Sequence, residues 1–103
     1  MANAHRGEIE AELGGRTWRL CLTLGALAEL ESAYGGEDLL ALAQRFEQGR
    51  IGALDAIRII GAGLRGAGHE VSDREVAMMS AEAGAAGYLR IVVGLLKATF
   101  GVT

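Results

Sequence analysis

Two runs of alternating residues meet at the dipeptide Gly14-Gly15, and this arrangement constrains the fold more than any other feature of the chain. Glycine readily adopts the positive φ that both central positions of a type I′ turn need, so the dipeptide predicts a two-residue hairpin loop. Such a loop pairs Ile9 with Leu20 and Glu10 with Arg19. Because apolar residues then meet apolar residues and an acid meets a base, the pattern predicts an antiparallel β-hairpin.

The predicted hairpin spans about residues 6–23 and has one apolar face and one solvated face. Alternation places Glu8, Glu10 and Glu12 on one side of the first strand, where an acidic contact surface and a simple solvated face explain the row equally well. Trp18 falls on the apolar side, where we expect it to anchor the hairpin onto the rest of the fold. An exposed Trp18 would instead be an interface hot spot.

From Thr23 onward the apolar residues recur at helical spacing, which predicts a helical part over about residues 24–100. The predicted helices run from the Thr23 cap to Gly35, from about Glu37 to Gln48, from Ala53 to Arg65, from Ser72 to about Gly84, and from Ala85 to Phe100. The residues predicted to face inward are Leu24, Leu27, Leu30, Tyr34, Leu39, Leu42, Ala43, Phe46, Leu54, Ile57, Ile60, Leu64, Val76, Met79, Leu89, Val92, Val93, Leu96 and Phe100.

Two helix starts carry further local signals. Glu37 and Asp38 are expected in the first turn of the second helix, where the helix dipole favours negative charge. Ser72 and Glu75 have the spacing of a capping box, and Val71 with Val76 has that of a hydrophobic staple. An N-terminal hairpin followed by four or five short helices packed on one face predicts an α+β fold, and the chain reads as a single domain over residues 1–103.

Composition narrows the function classes. Half of the residues are hydrophobic but only 5% are aromatic, and the difference is made up by 18 alanines and 16 glycines. This composition predicts a thin core and grooves that suit a partner helix. A net charge of −3 argues against a general nucleic-acid binder. A single cysteine excludes a disulfide framework.

We expect a cytoplasmic protein that does not span a membrane. Residues 1–6 lack the apolar stretch of a signal peptide, and the lone Cys21 fits a reducing compartment. The most apolar run, Tyr88 to Phe100, carries Arg90 and Lys97 and is too short for the ~20 residues that span a bilayer.

The sharpest chemical motif is the G-x-G-x-x-G match at Gly61-Ala62-Gly63-Leu64-Arg65-Gly66. In a dinucleotide-binding fold such glycines let a pyrophosphate approach a helix N-terminus, so a nucleotide-binding module is a remote alternative. The segment before the motif continues a helical period from Leu54, however, and no long helix begins at the glycines. In a chain this rich in glycine, chance explains the match better.

No other residue pattern indicates an enzyme, a metal site or a cofactor. His5 and His69 lack partners at metal-ligand spacing and are expected to be exposed polar residues. Cys21 pairs opposite Glu8, which raises rather than lowers a thiol pKa, so an inert thiol is expected. Met78 and Met79 mark either core or an adaptable binding surface.

The stretch from Thr23 to Glu31, the run from Gly61 to Gly68, and the cap and helix from Ser72 together resemble the small tail assembly chaperones of tailed phages and gene transfer agents. Members of that family are encoded between the major tail protein and the tape measure protein. The resemblance implies a non-enzymatic protein without a cofactor, which binds the tape measure protein and helps to recruit tail tube protein. A structural tail subunit retained in the particle is the alternative, and pairing between copies through open strand edges is a further expectation.

Overall fold

The computed structural model describes residue 3 and residues 6–101, and the predicted exposure of His5 lies outside the described residues. The elements are β1 (Glu8–Leu13), β2 (Arg16–Cys21), α1 (Leu24–Ala33), α2 (Leu39–Glu47), α3 (Ala53–Gly66), α4 (Asp73–Val76) and α5 (Ala85–Phe100). This order confirms the predicted α+β fold, with the hairpin first and the helices after it.

The hairpin has the predicted register. Ile9 pairs with Leu20 and Glu10 with Arg19, and both turn glycines have positive φ. The end of β2 leads into α1 through Thr23, whose Oγ1 accepts a hydrogen bond from the Ala26 N–H at 3.2 Å, as expected of a helix N-cap. Local sequence therefore determines both the turn and the start of the first helix.

Helix α3 is the centre of the molecule, because it contacts β2 and the helices α1, α4 and α5. Six consecutive residues of this helix, from Ile59 to Leu64, are buried. Around it lies one apolar core, formed by Ala11, Leu13, Trp18, Leu20, Leu22, Ala26, Leu30, Leu42, Ala43, Phe46, Ile59, Ile60, Ala62, Leu64, Val76, Val92, Leu95 and Leu96. The core is thus built largely from leucine and alanine.

Two predicted helix boundaries are wrong. Helix α2 begins at Leu39 rather than at Glu37, because Asp38 caps it by accepting a hydrogen bond from the Leu40 N–H at 3.0 Å. The helix predicted from Ser72 to Gly84 has only the four residues of α4. Its capping box is present, but the chain then leaves the helical path, because Ser80 and Ala81 pair with the end of β1.

Several residues predicted to face inward do not. Leu24 is 84% exposed and Leu54 is 65% exposed, because each lies on the solvent side of the first turn of its helix. On α5, Tyr88, Ile91 and Leu95 pack inward, whereas Leu89 and Val93 are only half-buried outside the packed cluster. The predicted and the observed inward faces of α5 are offset by one position in the chain. Both faces are apolar, so periodicity alone does not distinguish them.

Candidate functional site

An apolar groove lies between α3, the segment that follows α4, and the start of α5. Its volume is about 190 Å³. The lining residues are Leu13, Ala53, Ala56, Ile57, Ile60, Val76, Ala77, Met79 and Tyr88. Small side chains at Ala53 and Ala56 leave this space open on α3, so the shortage of bulky residues in the composition produces a cavity here. The Tyr88 hydroxyl donates a hydrogen bond to the Met79 carbonyl at 2.8 Å and holds one side of the groove in place.

The groove continues toward the start of α5. A second apolar cavity of about 210 Å³ shares Ala53, Ala56 and Tyr88 with the first and adds Ile51 and Leu89 to the lining. Leu54, which is 65% exposed, directly follows the shared lining residue Ala53 in the chain. The two cavities therefore lie side by side, with Ala53, Ala56 and Tyr88 contributing to both.

Met78 and Met79, which the sequence offered as core or as a binding surface, lie beside this groove. Met79 is half-buried and lines it, whereas Met78 is 85% exposed and follows Ala77, another lining residue. Flexible thioether side chains adapt to apolar partners of different shape. A role of this pair in binding remains a prediction.

The acidic row occupies the opposite face of the hairpin. Glu10 and Glu12 are exposed, and Glu8 is half-buried with its Oε1 accepting a hydrogen bond from the Asn3 N–H at 2.9 Å. Leu13, which alternates with this row, points to the apolar side and lines the groove. The chain therefore presents one acidic surface and one apolar groove on different faces, and a contact at the acidic row remains a prediction.

Trp18 anchors the hairpin on the apolar side, as its position in the alternation predicts. The ring is only 9% exposed, and its Nε1 donates a hydrogen bond to the Leu13 carbonyl at 3.0 Å. The Arg16 guanidinium covers the ring at 4.0 Å, and the His69 ring meets it edge-on with the ring centroids 4.9 Å apart. The indole is therefore enclosed by its own chain and offers little area to a partner.

The glycine motif serves close packing inside α3. A Cβ at Gly66 would overlap the carbonyl oxygen of Cys21, and one at Gly63 would come within 2.7 Å of Leu95. At Gly61 a Cβ would collide with the Asp73 carboxylate. All three glycines belong to one continuous helix rather than to a loop before a helix N-terminus, so the geometry of a pyrophosphate site is not formed.

One polar cluster was not predicted. The Arg65 guanidinium pairs with Glu29 on α1 and with Asp73 on α4, the latter at 3.0 Å, and it donates to the Val71 carbonyl at 3.0 Å. The hydrogen bond to the Glu29 carboxylate is the main cause that raises the pKa of Arg65. Glu29 lies 36 positions away in sequence, so no local pattern signals this contact.

The remaining titratable candidates fit structural roles. Partial burial, and then the charge of Glu8, raise the pKa of the Cys21 thiol, which donates weakly to the Arg6 carbonyl at 3.6 Å. The predicted direction of that pKa shift is thus confirmed. Within residue 3 and residues 6–101, no three His, Cys, Asp or Glu side chains lie close enough to hold a metal ion, and no helix is long and apolar enough to cross a bilayer.

These features define a small α+β protein with an apolar groove beside α3 and a charged cluster at Arg65. Comparison with protein families gives one match, to the family described as "Phage tail tube protein, GTA-gp10", over residues 6–102. The match covers nearly the whole chain, and the chain belongs to this family. Among curated proteins and solved structures no significant match is found. The predicted connection to the tails of phages and gene transfer agents is therefore confirmed.

Proposed function

We propose that the protein is a structural subunit of a phage-like or gene-transfer-agent tail and stays in the finished particle. The observation that carries this proposal is the match of residues 6–102 to a family described as a tail tube protein. It favours the structural alternative over the chaperone function that the sequence resemblance first suggested. No catalytic residue or cofactor enters the proposal.

The distribution of surfaces supports such a role. A subunit that contacts unlike neighbours on two sides needs two different patches, because a head-to-tail interface joins non-identical surfaces. The acidic face at Glu10 and Glu12 and the groove at Ala56 and Met79 are two such patches on different sides of the hairpin. Neighbouring tail proteins, or further copies of this chain, are the proposed partners.

A tail assembly chaperone is the second candidate, and contacts at the ends of the two hairpin strands favour it. At one end of β1 the Glu8 N–H donates to the Asn3 carbonyl at 3.0 Å, and at the other end Leu13 bridges to Ala81. At the end of β2, Gly66 packs against the carbonyl of Cys21. Covered strand ends disfavour growth into a continuous intermolecular sheet. A chaperone would instead bind an apolar helix of the tape measure protein in the groove.

Quantitative mass spectrometry of purified particles separates the two candidates. A structural subunit should be found in a fixed ratio to the major tail protein in the finished tail. If the chain is absent from particles but co-purifies with the tape measure protein from the lysate, the structural proposal is wrong and the chaperone candidate stands.

A matched pair of variants then tests whether the groove makes the contact. Ala56→Leu fills the groove, whereas Ala28→Leu adds the same atoms at an exposed site on α1. If the groove binds a tail protein, only Ala56→Leu should reduce incorporation or co-purification. Equal behaviour of the two variants would exclude the groove as the contact.

A further inference from the structure

The segment Val71–Met79, here called the strap, contributes Val76, Ala77 and Met79 to one side of the apolar groove. It contains the single-turn helix α4, and Val76 is its only buried residue. Beneath it lies the cavity of about 190 Å³ rather than a filled core. Val71 and Met79 are half-buried against the core, and Val76 is the fully buried one of the three. Moving the first part of the strap therefore removes the packing of Val71 and Val76 but not that of Met79.

Charged groups hold the beginning of the strap. The Arg65 guanidinium donates to the Val71 carbonyl and pairs with Asp73, and its other partner, Glu29, ties the cluster to α1. The Glu29 side chain is 46% exposed, so water and salt reach its pair with Arg65. The Asp73 side chain is 44% exposed, but the Oδ1 atom that faces Arg65 is buried, so salt acts on that pair only through the exposed part of the side chain. Ion pairs at this exposure contribute little and weaken further as the ionic strength rises.

Uncharged groups hold the end of the strap. The Tyr88 hydroxyl donates to the Met79 carbonyl at 2.8 Å, and the Gly14 N–H donates to the Ser80 carbonyl at 2.9 Å. Salt does not weaken such hydrogen bonds in the way that it weakens exposed ion pairs. The two ends of the strap thus differ in the physical nature of their attachment.

From this asymmetry we propose that the strap is a salt-sensitive lid, which opens at its Arg65 end while the Met79 end stays attached and thereby widens the apolar groove. Loss of the Arg65 contacts frees α4, and the apolar side chains that must leave their sites are the buried Val76 and the half-buried Val71. The proposal concerns the isolated chain and does not depend on which tail protein, if any, the groove binds.

Native-state amide hydrogen exchange tests the proposal, because the strap contains its own reporters. The amides of Val76, Ala77, Met78 and Met79 donate within the α4 turn, to Ser72, Asp73, Glu75 and Val76 respectively. We expect these amides to exchange faster than those of Ile60 to Leu64 in α3, and to speed up a few-fold between low and high salt. The α3 amides should respond much less to salt.

The variant Arg65→Gln removes the charged attachment. Arg45→Gln is its matched control, because it breaks the exposed ion pair that Arg45 on α2 makes with Glu37. We expect Arg65→Gln to accelerate strap exchange about tenfold, as the loss of two ion pairs and a charged hydrogen bond implies. Arg45→Gln should leave strap exchange unchanged. Should Arg65→Gln not fold, Asp73→Asn is the alternative variant, because it keeps the Ser72–Glu75 capping box. We expect it to accelerate strap exchange less than tenfold.

Two results would overturn the proposal. One is strap amides that exchange as slowly as the α3 amides at every salt concentration. The other is an equal acceleration of strap and α3 amides in Arg65→Gln or Asp73→Asn, which would show that the cluster contributes only to global stability.

Discussion

The Tyr34 hydroxyl donates a hydrogen bond to Asp55 Oδ1 at 2.5 Å, and this contact joins the end of α1 to the first turn of α3. The other carboxylate oxygen of Asp55 accepts from the Gly52 N–H at 2.8 Å, so one side chain both caps α3 and holds the phenol. The Arg58 guanidinium lies over the Tyr34 ring at 5.4 Å. Two helices that are not adjacent in the chain are thereby fixed together near the surface.

This contact predicts a specific alkaline sensitivity. Burial, followed by the hydrogen bond and charge of Asp55, raises the pKa of Tyr34 from 10.0 to about 12. The folded state thus holds the phenolic proton more tightly than the unfolded state. The stabilisation is complete below pH 10 and is lost as the pH rises toward 12. Urea unfolding at several pH values between 9 and 12 should show the wild-type chain losing more stability than Tyr34→Phe, which cannot lose this contact by ionisation. Parallel pH curves for the two proteins would contradict the prediction.

The close approach of α3 to β2 predicts that Gly66→Ala is strongly destabilising. The added Cβ would overlap the Cys21 carbonyl and lie 3.3 Å from the Ala26 Cβ, so backbone must move to admit it. Overpacking of this kind costs about 1–3 kcal/mol or more. Thermal or urea unfolding measures the loss.

Gly25→Ala is the matched control for that substitution. Gly25 also lies in a helix, but a Cβ there has only the Thr23 hydroxyl near it, at 3.9 Å. Because alanine favours helix over glycine, this variant should gain up to about 1 kcal/mol. A similar loss of stability in both variants would mean that α3 does not approach β2 as closely as the structure shows.

The sequence predicts best the parts that depend on neighbouring residues. The Gly14-Gly15 turn, the Thr23 cap and the Ser72–Glu75 capping box are each contained within a few positions, and each is present in the structure. The length of α4 was not predictable in this way. It depends on pairing between Ala81 and Leu13, residues far apart in the chain, and tertiary pairing here overrides a helical pattern.

The candidate site also combines features that the local sequence indicates with features that depend on tertiary contacts. The sequence indicates Met79 as a residue at a binding surface or in the core, and it lines the groove. The groove itself exists because Ala56 and Tyr88 from different helices meet across it, and no local periodicity encodes that meeting. The glycine motif shows the reverse error, since Gly63 and Gly66 look like a phosphate loop in sequence but pack against β2 and α5 in the fold.

The two methionines should respond differently to substitution. Met78 is 85% exposed, so Met78→Ser should change the free energy of unfolding by less than about 0.5 kcal/mol. Met79 packs against the core beside the groove, so Met79→Ala should cost more, on the order of 1–3 kcal/mol for a half-buried side chain. Chemical denaturation of both variants checks the difference. Equal costs would show that Met79 is not held against Tyr88 and the core.

Filling the groove should stabilise the isolated chain. Ala56→Leu adds apolar atoms that the cavity of about 190 Å³ can accept, and cavity-filling substitutions commonly gain about 0.5–2 kcal/mol. Ala28→Leu places the same atoms in solvent and should leave the melting temperature nearly unchanged. A lower melting temperature for Ala56→Leu would mean that the space is not available in solution. If Ala56→Leu is more stable but no longer binds its tail partner, the loss of binding cannot come from poor folding. That result would show that the partner occupies the groove.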